Sequence, residues 1–166
     1  MTARLERDAA RAERADRHGA SFGNLAGAVL EGTNLEGARL EGADLKGANL
    51  TGANLHDADL RDADLKGAIL RDANLEGADL RDANLMGAVL DGANLQGAVL
   101  RDADLMGAVL PKANLQGTDL RDSSLMGTVF EEGADLSGLD LRDLDLTGAR
   151  LSAAEVRALR QRREAN

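Results

Sequence analysis

The histidines His18 and His56 are the side chains of this 166-residue chain best suited to acid–base catalysis or to metal binding. They lie far apart, one in a charged N-terminal segment and one within a repetitive region. The chain has no cysteine, which excludes a thiolate nucleophile, a thiolate metal site and a disulfide. An active site needs several converging groups, and no motif supplies them. We therefore predict that the protein is not an enzyme and has no catalytic residue, metal site or cofactor.

Two polar patterns recur at intervals of 20 residues. The first is a column of asparagines, which we interpret as stacked, hydrogen-bonded amides rather than as a binding stripe. It comprises Asn34, Asn54, Asn74, Asn94 and Asn114. The second is a set of Arg-Asp dipeptides, which we interpret as an exposed ladder of weak charge pairs rather than as a docking site. It comprises Arg61-Asp62, Arg81-Asp82, Arg101-Asp102, Arg121-Asp122 and Arg142-Asp143.

A third pattern is apolar and gives the strongest candidate for a site. The segments LMGAVL (85–90), LMGAVL (105–110) and LMGTVF (125–130) place Met and Val where they should point outward. The predicted interaction surface comprises Met86, Val89, Met106, Val109, Met126 and Val129, and Ile69 extends it. Contiguous apolar patches with adaptable methionines are typical of protein contacts, whereas β-branched residues also suit an exposed strand face. We predict a homodimer through this surface or the adjoining C-terminal cap, with another protein as the alternative partner.

A five-residue repeat must position these side chains. Leu occupies every fifth position from 25 to 125, and Phe130 takes the next place. After one inserted residue near 132–133, the series resumes at Leu136, Leu141, Leu146 and Leu151. A small residue, most often Ala, stands two places before nearly every central residue, although the last coil has Leu139 and Leu144 there. Gly or Asp usually stands two places after the central residue. Because side chains alternate in direction along an extended chain, the central and the small residue both point to one side, which is the core. Gly and Asp suit the corner between two extended segments.

The period of five fits neither a helix nor a simple strand, and the 20-residue recurrence means that four pentapeptides close one coil. We predict an all-β solenoid of about six and a half coils, roughly 30 Å long at about 4.8 Å per layer. These A(N/D)LxG units resemble the pentapeptide repeat family over residues 21–153. The resemblance implies a right-handed quadrilateral β-helix with the central and small residues inside.

The same resemblance implies a possible function. The fluoroquinolone-resistance and topoisomerase-protection group of this family imitates duplex DNA and binds DNA gyrase. A DNA mimic is therefore the alternative to a rigid scaffold for protein–protein interaction. The chain differs from that group in its nearly all-Leu core, in its lack of long projecting loops and in its arginine column, and these differences favour the scaffold.

Both ends of a solenoid need a cap, since an open end would expose the core and free strand edges. We divide the chain into an N-terminal helical or flexible cap (1–20), the pentapeptide-repeat β-helix (21–153) and a C-terminal capping helix (154–166). Ser152 and Glu155 have the spacing of a capping box. Val156 and Leu159 lie one helical turn apart, so that both can cover the last coil.

Charge and composition restrict the classes of partner. The chain has a net charge of −9, and its acidic residues are concentrated in the repeats. Residues 21–153 contain 11 basic and 23 acidic residues. An acidic body without Trp or Tyr argues against direct nucleic-acid binding. The N-terminus has no apolar signal segment, and no apolar run is long enough to span a membrane. We expect a cytoplasmic protein that binds neither nucleic acid nor membrane.

Overall fold

The computed structural model describes residues 24–130, 133, 134, 136, 139 and 144–152. The predicted caps lie outside this part, apart from Ser152, and so do Glu155, Val156 and Leu159. No helix long and apolar enough to cross a membrane is found among the residues in these ranges.

Each pentapeptide contributes one β-bridge and one turn. The residue before the central leucine, here called the bridge residue, pairs in parallel with the bridge residue 20 positions further on, as Asn34 does with Asn54 and Val89 with Val109. Within 24–130 every bridge has this spacing, so four pentapeptides close one coil, as predicted. The strands are single residues, and the described part contains no longer strand and no helix.

The turns explain the preference for Gly or Asp after the central residue. The two residues that follow it are here called the first and second turn residues. The carbonyl of the central residue accepts the amide three positions on, as Leu85 O does from Ala88 N at 3.0 Å, and every second turn residue from Gly27 to Gly127 has a positive φ. This is the geometry of a type II turn. Side chains other than glycine occupy it at Asp57, Asp62, Asp72, Asp82, Asp102, Lys112 and Asp122.

The core is a filled tube of Leu and Ala. From Leu40 to Leu115 each central and each small residue is at most 1% exposed, which confirms the predicted inward assignment. Thr118 and Thr128 replace alanine further along the chain and stay buried. Their hydroxyls donate to the carbonyls of Leu95 (2.8 Å) and Leu105 (3.1 Å), so neither leaves a polar group unsatisfied.

The inserted residue shifts the register once. Ser124 pairs with Asp145 and Val129 with Arg150, at a spacing of 21 instead of 20. The columns nevertheless continue, because Gly127 N donates to Thr147 O at 2.9 Å as its counterparts do in earlier coils. The predicted insertion is therefore confirmed, and the coil absorbs it without losing the alignment of its outer side chains.

Candidate functional site

The six side chains of the predicted interaction surface form two adjacent columns, one within a line of turns and one on the bridge residues that follow those turns. Together they are called the Met–Val surface: Met86, Val89, Met106, Val109, Met126 and Val129. The Met residues are first turn residues of successive coils, and the carbonyls of Met106 and Met126 accept the amides of Gly87 (3.0 Å) and Gly107 (2.9 Å). The Val residues are bridge residues that pair with one another. The structure thus aligns all six in the predicted columns.

Local hydrogen bonds hold the Met column in place. The side-chain oxygens of Asn84 and Asp104 accept the backbone amides of Met86 (3.1 Å) and Met106 (2.9 Å). Asn and Asp form such bonds to the backbone two residues on, and the bond fixes the start of the turn. The backbone of the Met column is therefore fixed, while the flexible Met side chains can adapt their shape to a partner.

Exposure sets this surface apart from the rest of the solenoid. Among the described residues the exposed large apolar side chains are Ile69 (37%), Met106 (38%) and Met126 (39%), and all three belong to this surface or extend it. Met86 and the three valines are half-buried. Apolar surface left in water forgoes about 25 cal/mol per Å², so a partner that covered the columns would gain this free energy.

Polar columns border the Met–Val surface on both sides. Next to the Met column lies the acidic border, which comprises the bridge residues Asp44, Asp64, Asn84, Asp104 and Ser124. Next to the Val column lies the mixed border, which comprises Thr51, Arg71, Asp91, Pro111 and Lys112. Lys66 continues the Met column toward the N-terminus, because the amide of Gly67 in the same turn donates to the carbonyl of Met86 at 2.9 Å.

Within the described part of the chain, three cations beside this surface have no acidic partner. Among the described residues Lys66, Arg71 and Lys112 form no ion pair, whereas Lys46, Arg61, Arg81, Arg101 and Arg121 all do. None of the repeated sequence patterns described above includes these cations. The residue two positions before an arginine indicates whether that arginine has an acidic partner nearby. This residue is Asp59 for Arg61 but Ile69 for Arg71.

The predicted Arg-Asp dipeptide pairs are wrong in their partners. Arg61 donates to the preceding Asp59, from Nε to Oδ1 at 2.8 Å and from a terminal nitrogen to Oδ2 at 2.7 Å. The same pairing joins Arg81 to Asp79 and Arg121 to Asp119. Residues two apart on an extended segment project to the same side, whereas the following aspartates take the second turn position. Asp62, Asp82, Asp102 and Asp122 have φ between 57° and 60° there.

The carboxyls of Asp59 and Asp79 are held in the charged form. The side-chain hydrogen bond from Arg61 keeps the pKa of Asp59 below its ordinary value of 3.8, and Arg81 does the same for Asp79. Arg101 follows Val99 instead of an aspartate, and its Nε therefore reaches Asp119 of the next coil at 2.5 Å. These arginines already have acidic partners within the chain.

The asparagine column is a hydrogen-bonded ladder, as our interpretation favoured. Each Nδ2 donates to the Oδ1 one coil earlier, over 3.1 Å from Asn54 to Asn34 and 3.0 Å from Asn114 to Asn94. Each Oδ1 also accepts a backbone amide, such as that of His56 on Asn54 at 3.3 Å. Both ends of the inner amides are therefore occupied within the ladder.

The described histidine lies beside one carboxylate, that of Asp57. His56 Nδ1 lies 3.1 Å from Asp57 Oδ2 without forming a hydrogen bond, and His18 lies outside the described residues. In the part of the chain that the structure describes, no three His, Cys, Asp or Glu side chains are grouped as metal ligands would be.

Comparisons with known proteins agree with this architecture. The model of the pentapeptide repeats family matches as eight copies, over 24–62, 48–87, 58–95, 88–127 and 132–157. The crystal structure of Rfr23, a pentapeptide repeat protein from the cyanobacterium Cyanothece 51142, is 29% identical with a TM-score of 0.50, and the match covers 78% of this chain and 91% of that one. No curated protein matches the sequence.

Two further solved structures match the chain. HetL, a pentapeptide repeat protein from Nostoc sp. strain PCC 7120 involved in heterocyst differentiation regulation, is 34% identical, with a TM-score of 0.30 and coverage of 67% of this chain and 65% of that one. QnrB1, a plasmid-mediated fluoroquinolone resistance protein, is 21% identical in a trypsin-treated form, with a TM-score of 0.38 and coverage of 87% and 94%.

Proposed function

Because this chain belongs to the pentapeptide repeat family, whose fold is a right-handed quadrilateral β-helix, we propose that it is a non-enzymatic, rigid scaffold that binds another protein through the Met–Val surface. The observation that carries the proposal is the position of the exposed apolar side chains. Ile69, Met106 and Met126 share one surface, although the repeat offers other outward columns. Contiguous exposed apolar residues usually mark contact sites.

The rest of the outer surface supports the same proposal. The asparagine ladder and the arginine column use their polar atoms within the chain, and the core is filled with side chains. A coil whose backbone is hydrogen-bonded on both sides changes shape little on binding, so a partner meets a preformed surface. The Met–Val surface is the outward region in which apolar groups and unpaired cations occur together.

Site-specific photo-crosslinking tests the proposal. A benzophenone amino acid would replace Met106 in one variant and Gln96 in a control, because Gln96 is exposed on the asparagine side. In living cells we expect a discrete adduct from position 106 and none from position 96. Met126→Lys with Val129→Lys should suppress the adduct from position 106. Equal labelling at both positions, or none at 106, would contradict a binding role for this surface.

A second candidate function is DNA mimicry toward a type II topoisomerase such as gyrase. The observation in its favour is the column of Asp62, Asp82, Asp102 and Asp122, which are exposed in successive coils. At about 4.8 Å per coil, its charge spacing is comparable with the roughly 3.4 Å per phosphate along one DNA strand. The arginine column stands directly beside it and interrupts the acidic face.

A supercoiling assay tests this second candidate. A mimic would inhibit gyrase or rescue it from a quinolone, and raised salt would weaken its binding. An Asp82→Asn, Asp102→Asn variant should lose that effect. No effect of the wild-type protein at concentrations well above that of gyrase would remove the candidate.

A further inference from the structure

We infer that the partner on the Met–Val surface is a second copy of this chain, docked side by side about a two-fold axis parallel to the stacking direction. This inference rests on the proposed function, because it requires the Met–Val surface to be a docking site. It adds the identity of the partner and the relative direction of the two solenoids.

A two-fold axis along the stack exchanges the columns but keeps each coil at its own level. The Met column of one copy then faces the Val column of the other, and the acidic border of each copy faces the mixed border of the other. A two-fold interface of this kind is built from one surface that complements itself. The Met–Val surface meets that requirement because its two apolar columns are adjacent and its two borders differ in charge.

The charges match level by level in this arrangement. Arg71 lies in the same coil as Asp64, and Lys112 lies in the same coil as Asp104. In the parallel dimer Arg71 faces Asp64 of the second copy, and Lys112 faces Asp104 of the second copy. Asp91 faces the neutral Asn84 of the second copy, so no level pairs two like charges across the borders. An antiparallel two-fold centred on Met106 would instead oppose Asp104 to Asp104 and Lys112 to Lys112.

The unpaired cations point to carboxylates supplied from outside the chain. In a protein with a net charge of −9, the described cations without an ion pair all adjoin the one exposed apolar surface. Their proposed acceptors have capacity for another bond. Asp104 accepts the amide of Met106 through Oδ1, and Asp64 binds Lys46 through Oδ2 at 3.0 Å. A carboxylate offers about four acceptor sites, so both groups can accept a further hydrogen bond.

The backbone at Lys112 is a second, independent indication. Lys112 has a φ of 57° at a position where the other described turns place Gly or Asp. Lysine lacks the short side chain that lets aspartate tolerate this conformation. A strained position that carries an unpaired cation at the edge of an apolar surface is typical of a residue with a functional role.

Sedimentation and light scattering of the purified full chain test whether a dimer forms. We expect a dimer for the wild type and a folded monomer for Met106→Lys with Val109→Lys, with the dissociation constant raised at least about 100-fold by the buried charges. The matched control, Gln96→Lys with Gln116→Lys, should remain dimeric. Circular dichroism would verify that all variants keep the solenoid.

A charge exchange tests the border contact. Lys112→Asp should raise the thermal stability of the monomer, because aspartate suits the turn, and should weaken the dimer about fivefold. Adding Asp104→Lys should restore most of the affinity. A residue with only a structural role would not separate stability from dimer affinity in this way.

Cysteine crosslinking tests the direction, since the chain has no native cysteine. In the parallel dimer Met86→Cys alone and Met126→Cys alone each crosslink through a short bis-maleimide. In an antiparallel dimer neither does alone, and a mixture of the two does. That second result would overturn the parallel arrangement.

The remaining outcomes separate the inference from the proposed function. A monomeric wild type, or a dimer that survives Met106→Lys with Val109→Lys, would overturn the inference. If the photo-adduct from position 106 then has a mass other than twice that of the chain, the proposed function stands with a different partner. If no adduct forms, both fail.

Discussion

The carboxylate of Asp72 occupies the space in which the Cβ of residue 92 would lie, one coil further along. Asp72 Oδ1 is the atom nearest to a Cβ built on Gly92, whereas Gly52 in the same column has nothing within 4 Å. Both glycines have a positive φ, of 69° and 63°. The Asp72 carboxylate therefore makes glycine the suitable residue at position 92.

Alanine substitutions in this column should separate the two effects. Gly52→Ala incurs only the conformational cost of the left-handed region, about 1 kcal/mol, whereas Gly92→Ala adds the contact with Asp72. We expect Gly92→Ala to lower the free energy of unfolding by more than Gly52→Ala in urea melts. Asp72→Gly should remove the difference, and equal effects of the two alanines in the wild-type background would contradict the contact.

The inward and outward positions can be tested within one stretch of chain. Leu85 is fully buried, so Leu85→Ala should cost about 2–5 kcal/mol. Leu85→Lys should unfold the central coils, since the tube offers no partner for a buried charge. Gln96→Lys is the outward control and should change the stability by less than about 0.5 kcal/mol. Thermal melts followed by circular dichroism would measure all three, and similar melting of Leu85→Lys and Gln96→Lys would refute the assignment.

The hydrogen bonds of the asparagine ladder all run in one direction, from Nδ2 to the Oδ1 one coil earlier. Replacing an amide by a carboxylate should reveal this direction. Asn74 donates to Asn54 and accepts from Asn94, so Asn74→Asp removes a donor and should cost about 1 kcal/mol at neutral pH. Asn34 begins the described ladder and accepts from Asn54, so Asn34→Asp should cost less. Below the pKa of the new carboxyl its proton restores a donor, and the difference between the variants should shrink. A pH-independent difference would contradict this explanation.

Acid should weaken the arginine column in a predictable direction. Hydrogen bonds from Arg61 and Arg81 lower the pKa values of Asp59 and Asp79 below 3.8. A carboxyl whose pKa is lower in the folded state stabilises the fold above its unfolded pKa, and the contribution is lost as the pH falls through the folded value. Arg81→Gln should therefore destabilise slightly at pH 7 and progressively less below about pH 4. In an Asp79→Asn background the same change should show no such pH dependence.

The sequence is sufficient to predict the coil, because a strict period of five combined with one of 20 leaves few ways to bury Leu and Ala. It also predicts the ladder from Asn34 to Asn114, since stacked identical residues must meet. The arginine partners are harder to predict. Adjacency in sequence favours Asp62 as the partner of Arg61, whereas in the extended segment the side chains of Asp59 and Arg61 project to the same side and pair. The unpaired state of Lys66, Arg71 and Lys112 depends on which side chains reach each other across coils. A count of charges in the sequence does not contain that information.

The spacing of 20 between bridge residues within 24–130 has a consequence for how such a chain can change length. Deleting residues 64–83 would remove one full coil, shorten the rod by about 4.8 Å and leave every remaining column aligned. Deleting five residues would instead turn everything beyond the cut by a quarter of a revolution, so that a methionine would stack on an arginine. Gain or loss of whole coils preserves the outer pattern, and duplication in units of 20 residues is therefore the route by which the molecule can grow without scrambling what it displays.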